Sequence, residues 1–175
     1  MVRIKPSYQV AQSDCGLACA HMVMQSHGIT ASLRKMRVRY ASGRDGLSLS
    51  ALIRILRDYG LDAKAIKCSY SNLDRIPLPA ILAWNPAHYV VLEKHVHGRW
   101  RIIDPASGRR WCRASELEAN FSGFCVVTGS KIAQIEPSDE IDEPAWKSLL
   151  DLMAGKLLWL VPLRHALPIC SAPPH

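Results

Sequence analysis

In "QVAQSDCGLACAHMVMQSHG", residues 9–28, Cys15 follows an aspartate and precedes a glycine at the start of an apolar, helix-like run. A thiol in the first turn of a helix faces the positive end of the helix dipole and unpaired backbone amides, and both favour the thiolate. Gly16 leaves the backbone beside the sulfur uncrowded, so a peptide carbonyl can approach it. These features suit a nucleophile, although a small buried side chain is an equally ordinary use of cysteine. Cys19 lies one helical turn inward, on the face shared with Leu17, Met22 and Val23, and reads as core. A metal pair is disfavoured because no second Cys/His pair sits at a matching distance. A disulfide between positions four apart in a helix would strain the geometry that bond needs.

A nucleophilic thiol requires a base. Of the seven histidines, His21 and His27 share the helix of Cys15 and point away from its N-terminal end. His95 and His97 fall at a hairpin tip, and His165 and His175 lie in the tail. His88 remains, opening a strand directly after "NPA". Strand pairing then suggests its orienting partner. If 88–93 and 99–104 pair antiparallel around the loop "KHVHG", His88 stands opposite Asp104, Val90 opposite Ile102, Leu92 opposite Trp100 and Glu93 opposite Arg99. A tight two-residue "HG" turn would instead set Glu93 against Ile102 and Val91 against Asp104, so the longer loop is expected. An imidazole beside a carboxylate at one end of a sheet is what a base and its orienter need. Gln9 and Gln12 both precede Cys15, and either carboxamide can donate to a developing oxyanion. The residues alone do not choose between them; an exposed surface glutamine is the plain alternative, favoured for Gln12.

The elements that must position these groups are legible in outline. Leu17, Ala18, Cys19, Met22 and Val23 recur at helical spacing over 14–25, with Asp14 or Ser13 as cap and Gly28 as stop. A short basic helix is expected over 31–38. An amphipathic one comes next in "SLSALIRILRDYG", with Leu49, Leu52, Ile53 and Leu56 on one face and Gly60 as its stop. Strands are expected at 63–68, 80–84, 88–94, 100–104, 109–113 and 123–127. Helices first and consecutive strands afterwards predict an α+β fold, with an N-terminal helical lobe packed on a C-terminal antiparallel β-sheet.

Residues 1–130 are assigned to that domain and 131–144, acidic and holding two prolines, to a linker. Residues 145–175 form an apolar tail interrupted by Lys147, Asp151 and Lys156. Its uninterrupted part, 157–163, is too short for a bilayer, which takes ~20 residues. An interfacial amphipathic helix and a terminal helix packed on the core are both open readings.

Hydrophobic content of 49% and charged content of 21% are those of a globular chain. Six cysteines without regular spacing, and an N-terminus without an apolar signal core, suit reduced thiols in the cytoplasm. The net charge of +7 is uneven: residues 1–130 hold 18 basic against 9 acidic residues, and 131–175 hold 4 against 6. The densest basic run, "LRKMRVR" at 33–39, has no interleaved aromatics and matches no nucleic-acid motif. It reads as a solvated face rather than a nucleic-acid surface.

Together "QVAQSDCGLAC", "GLSLSALIRILRDYGLDAKAI", "PAILAWNPAHYVVLEK", "WRIIDPASGRRW" and "FSGFCVV" resemble the papain-like cysteine peptidase domain (peptidase family 39) at the N-terminus of colicin V-type ABC transporters that process bacteriocins. The resemblance covers about residues 5–130 and implies a papain-like fold. It selects Gln9 over Gln12 as oxyanion donor and carries the catalytic roles to Cys15, His88 and Asp104. It implies endopeptidase cleavage of secreted-peptide precursors after a double-glycine leader, coupled to ABC-transporter export, with no metal or organic cofactor. The implied partners are the leader precursor peptide and the transporter's membrane and ATPase parts, in this chain's own missing C-terminal part or on a separate chain, and no nucleic acid. The implied place is the cytoplasmic side of the bacterial inner membrane, or the cytoplasm for a free-standing chain. No Walker-type motif occurs in these residues, and the tail does not continue as a membrane span. A non-catalytic leader-peptide docking domain of a type I secretion transporter is the alternative reading.

Overall fold

The structure, a computed structural model, describes residues 3–40, 43, 46–85 and 87–129. The chain divides into two compact units, Met1–Ile141 and Asp142–His175. The expected linker and tail lie outside the described residues.

After a 3-10 turn at Gln12–Asp14 come α1 (Cys15–Ser26), α2 (Leu33–Arg39) and α3 (Leu49–Asp58). Next are β1 (Ala63–Lys67), β2 (Ala80–Trp84), β3 (His88–Val96), β4 (Arg99–Asp104), β5 (Gly108–Cys112), α4 (Ala114–Asn120) and β6 (Phe121–Thr128). All six strands join one antiparallel sheet in the order β1-β6-β2-β3-β4-β5. Each expected strand is present, with ends displaced by two residues or fewer. Helix α4 has no counterpart among the expected elements: its seven residues bury only Leu117, too little for an apolar period to show.

Helix α1 is buried on most of its circumference, from Cys15 through Ala20 and again at Met22, Val23 and Met24. That is the signature of a central helix rather than a surface one. It stops where Gly28 takes a φ of +74°, with Ile29 N–H returning to the Met24 carbonyl at 3.0 Å. Helix α3 starts at the Ser48 hydroxyl, which accepts from the Ala51 N–H at 3.2 Å.

Strand alternation gives the sheet two covered faces. On one, Ile81, Val91, Ile103 and Val126 join a core with Leu17, Met22, Met24, Leu52 and Leu56 of the helices. On the other, Leu82, Val90, Leu92, Ile102 and Cys125 pack with Leu73, Ile76 and Leu117.

The β3–β4 register differs from the sequence expectation. The hairpin closes through the tight His97–Gly98 turn, with Val96 paired to Arg99, His95 to Trp100 and Lys94 to Arg101. Both turn residues have positive φ, 50° and 71°, which a two-residue turn of this hand demands. A register shift between Leu92 and Lys94 then leaves Val91 opposite Ile103 and Leu92 opposite Ile102. This irregularity at Glu93 is what the sequence reading lacked, because it removes the poor pairings that had argued against the tight turn. Glu93 is instead an ionic node. Its Oε2 lies 2.9 Å from Arg109 Nε and 2.7 Å from Arg101 Nε, the latter contact ionic without hydrogen-bond alignment.

Candidate active site

Helix α1 opens at Cys15, which is 4% exposed. Strand β3 opens at His88, and strand β4 ends at Asp104. His88 and Asp104 are not strict ladder partners. With Val91 opposite Ile103, Asp104 aligns beside Val90, two residues along from His88. The displacement is even, so it preserves the face, and the side chains meet on the diagonal, with His88 Nε2 2.9 Å from Asp104 Oδ1. Cys15 is the other side chain that acts on His88, second to Asp104 in raising it. Because Nε2 is committed to Asp104, Nδ1 is the nitrogen left for sulfur.

The hydrogen bond to Asp104, then that to Cys15, outweighs burial and pushes His88 from 6.5 to about 9. Burial alone would raise Asp104. Hydrogen bonds from His88, the Ala106 N–H and Ser107, together with the imidazolium charge, hold it down at about 2. At neutral pH the ring is therefore an imidazolium between the Asp104 carboxylate and the Cys15 sulfur. That arrangement can stabilise a thiolate, protonate a leaving amine and activate water.

Gln9 approaches from the segment before α1. Its backbone N–H donates to the Pro105 carbonyl at 3.0 Å, which ties it beside Asp104. Its side-chain Oε1 is buried without a hydrogen-bond partner. Gln12 is exposed. Asp14 does not cap α1 with its side chain, contrary to expectation. Its Oδ2 accepts instead from the Val10 N–H at 3.2 Å and from Arg37 Nε at 2.9 Å. Arg37 thus departs from the solvated face expected for the basic run of α2. Nothing in "LRKMRVR" marks which of its four cations turns inward. The room beside Gly16 is also used differently from the expectation, since Leu52, Tyr89 and Leu47 of the protein fill it.

The remaining candidates separate cleanly. Cys19 is fully buried, donates to the Tyr89 carbonyl at 3.4 Å, and is pushed well up first by burial and then by Cys15 and Asp104. His21 is held by Ser7 and the Ala31 carbonyl at 2.8 and 3.0 Å, and His27 by Thr128 at 2.9 Å. His95 stacks on Trp100 with ring centres 3.9 Å apart. Tyr89, absent from the sequence candidates, has its hydroxyl pushed up to about 12 by burial, then by Cys15 and Cys19. It therefore stays neutral and donates to the Leu47 carbonyl at 3.0 Å. Among the described residues no group of three or more His, Cys, Asp or Glu side chains could hold a metal ion.

A cysteine at the head of a buried helix, facing a histidine on an antiparallel sheet, defines the class of papain-like cysteine peptidases. Within it the chain belongs to the Peptidase C39 family, whose model matches residues 3–132. It is 28% identical over 124 residues, 71% of this chain and 18% of the relative, to the probable microcin-H47 secretion/processing ATP-binding protein of Escherichia coli. It is 30% identical over 139 residues, 76% of this chain and 20% of the relative, to the lactococcin-G-processing and transport ATP-binding protein of Lactococcus lactis subsp. lactis. Among solved structures it resembles a double glycine motif protease from an AMS/PCAT transporter, in complex with its leader peptide. There the TM-score is 0.69 and the identity 28%, over 73% of this chain and 91% of that one. The chain spans about a fifth of the length of these curated relatives.

Proposed function

We propose that this chain is a cysteine endopeptidase that removes leaders ending in two glycines from secreted-peptide precursors, in partnership with ABC-transporter membrane and ATPase parts. The single observation that carries this reading is the Cys15–His88–Asp104 constellation, with the ring shared between carboxylate and thiol. Residues 1–130 are the peptidase unit in this reading, 131–144 a linker and 145–175 a tail. The place of work is the cytoplasmic side of the bacterial inner membrane. Among the described residues no helix is long and apolar enough to cross a membrane. The naming of relatives as processing and secretion proteins, and of the leader-bound protease, supports the substrate class.

In the proposed mechanism the Cys15 thiolate attacks the carbonyl carbon after the second glycine. The Gln9 carboxamide and the Cys15 backbone N–H donate to the resulting oxyanion. The C–N bond breaks as His88 gives its proton to the leaving amine, which leaves a thioester on Cys15. His88 then takes a proton from water, hydroxide adds to the thioester, and the leader departs as the free acid. Asp104 holds the imidazole orientation throughout.

The test is cleavage of a double-glycine precursor by the purified chain. Cys15→Ala and His88→Ala should each reduce turnover by more than about a thousandfold. A wild-type chain that binds the precursor yet leaves it whole would be a docking domain. Equal cutting by Cys15→Ala would remove the nucleophile assignment.

A further inference from the structure

We infer that Arg37 is a positioning residue for the oxyanion donor: through Asp14 and the Tyr8 carbonyl it fixes the segment that carries Gln9. The inference rests on the reading of Gln9 as donor in the proposed mechanism. Three consecutive residues each have one backbone group pinned. The Tyr8 carbonyl accepts from Arg37 Nη2 at 2.9 Å, and the Gln9 N–H donates to the Pro105 carbonyl at 3.0 Å. The Val10 N–H donates to Asp14 Oδ2 at 3.2 Å. That same carboxylate oxygen receives Arg37 Nε at 2.9 Å and Nη2 at 2.7 Å, so one guanidinium supports two of the three pins.

Side-chain packing holds this segment only at the Tyr8 ring edge, which lies against Gly108. The Tyr8 and Val10 side chains flanking Gln9 are 57% and 80% exposed. Nor does the carboxamide oxygen anchor itself, since Gln9 Oε1 is buried with no hydrogen-bond partner. The position of the side chain is therefore inherited from its backbone, and the polar clamp sets that backbone. Asp14 is also the residue before Cys15, so the clamp relates the donor to the nucleophile. A bidentate guanidinium suits this task better than an ammonium, because it spans a carboxylate and a carbonyl in one fixed plane.

The test is a double-mutant cycle on a double-glycine precursor, with wild type, Arg37→Gln, Gln9→Ala and the pair. Arg37→Gln should lower kcat about 10- to 100-fold with little change in KM, the scale of a misplaced rather than deleted donor. In the Gln9→Ala background the same change should matter less than about twofold, since its effect runs through Gln9. Arg37→Lys should recover part of the lost kcat and, having kept the charge, serves if Arg37→Gln fails to fold. Alkylation of Cys15 by iodoacetamide develops no carbonyl oxyanion, so its rate should match wild type in every Arg37 variant. Full additivity of the two substitutions, or an alkylation rate that falls with kcat, overturns the inference. A fully active Gln9→Ala enzyme would refute the donor assignment itself and take this inference with it, whereas a fully active Cys15→Ala would refute the peptidase mechanism.

Discussion

The chemistry of the site rests on where one proton resides. His88 is held up at about 9 chiefly by its bond to Asp104, and Asp104 is held at about 2, its bond from His88 and the Ala106 amide prevailing over burial. The His88 contribution to folding is full below its ordinary 6.5 and fades as pH rises through about 9. The Asp104 contribution is full above its ordinary 3.8 and is lost as pH falls through about 2. Both are present in the window between 3.8 and 6.5. Precursor cleavage measured against pH should accordingly show an alkaline limb near 9, where the ring loses the proton meant for the leaving amine. Asp104→Asn should move that limb down by about one unit or more, because it deletes the largest cause of the shift. An unmoved limb would assign it to a different group.

Two elements carry adjustments that secondary structure alone would not reveal. At the head of α1, a Cβ on Gly16 would meet Leu52 Cδ2 at 3.2 Å, Tyr89 Cδ2 at 3.3 Å and Leu47 Cβ at 3.4 Å. Alanine normally gains about 0.5–1 kcal/mol over glycine inside a helix, whereas overpacking a core removes about 1–3 kcal/mol. Gly16→Ala should therefore lower the thermal midpoint and also kcat, since relief of the clash moves the thiol relative to β3. In the β3–β4 hairpin, the bulged Glu93 binds Arg101 and Arg109 from a nearly buried position. Glu93→Gln should destabilise by about 1–3 kcal/mol in urea, the two guanidinium groups being able to rehydrate in part. It lies five residues along β3 from His88, about 16 Å at strand spacing. The folded variant should keep its kcat.

At the scale of the whole molecule, the described part of both cores that cover the sheet runs from Ile4 to Val127. Among the described residues, the helices fill one face, and the 70–78 segment with α4 fills the other. A chain ended after residue 132, where the family match stops, should unfold in one cooperative transition and cleave precursor at the wild-type rate. A noncooperative transition would show that the remaining segment completes the fold.

Local patterns in the chain itself determined the kinds of element and their order, because helical spacing and strand alternation are written in neighbouring residues. They also singled out Cys15 and His88, each of which opens an element, whereas Asp104 was reached through a β3–β4 register that the structure replaces. Only the tertiary structure decided the bulge at Glu93, since a register is chosen by the fit of two strands at once. It alone picked Arg37 from a run of similar cations, because its partners, Tyr8 and Asp14, become neighbours only after α2 docks beside α1. Convergence of distant residues is a property of packing, and packing has no local signature.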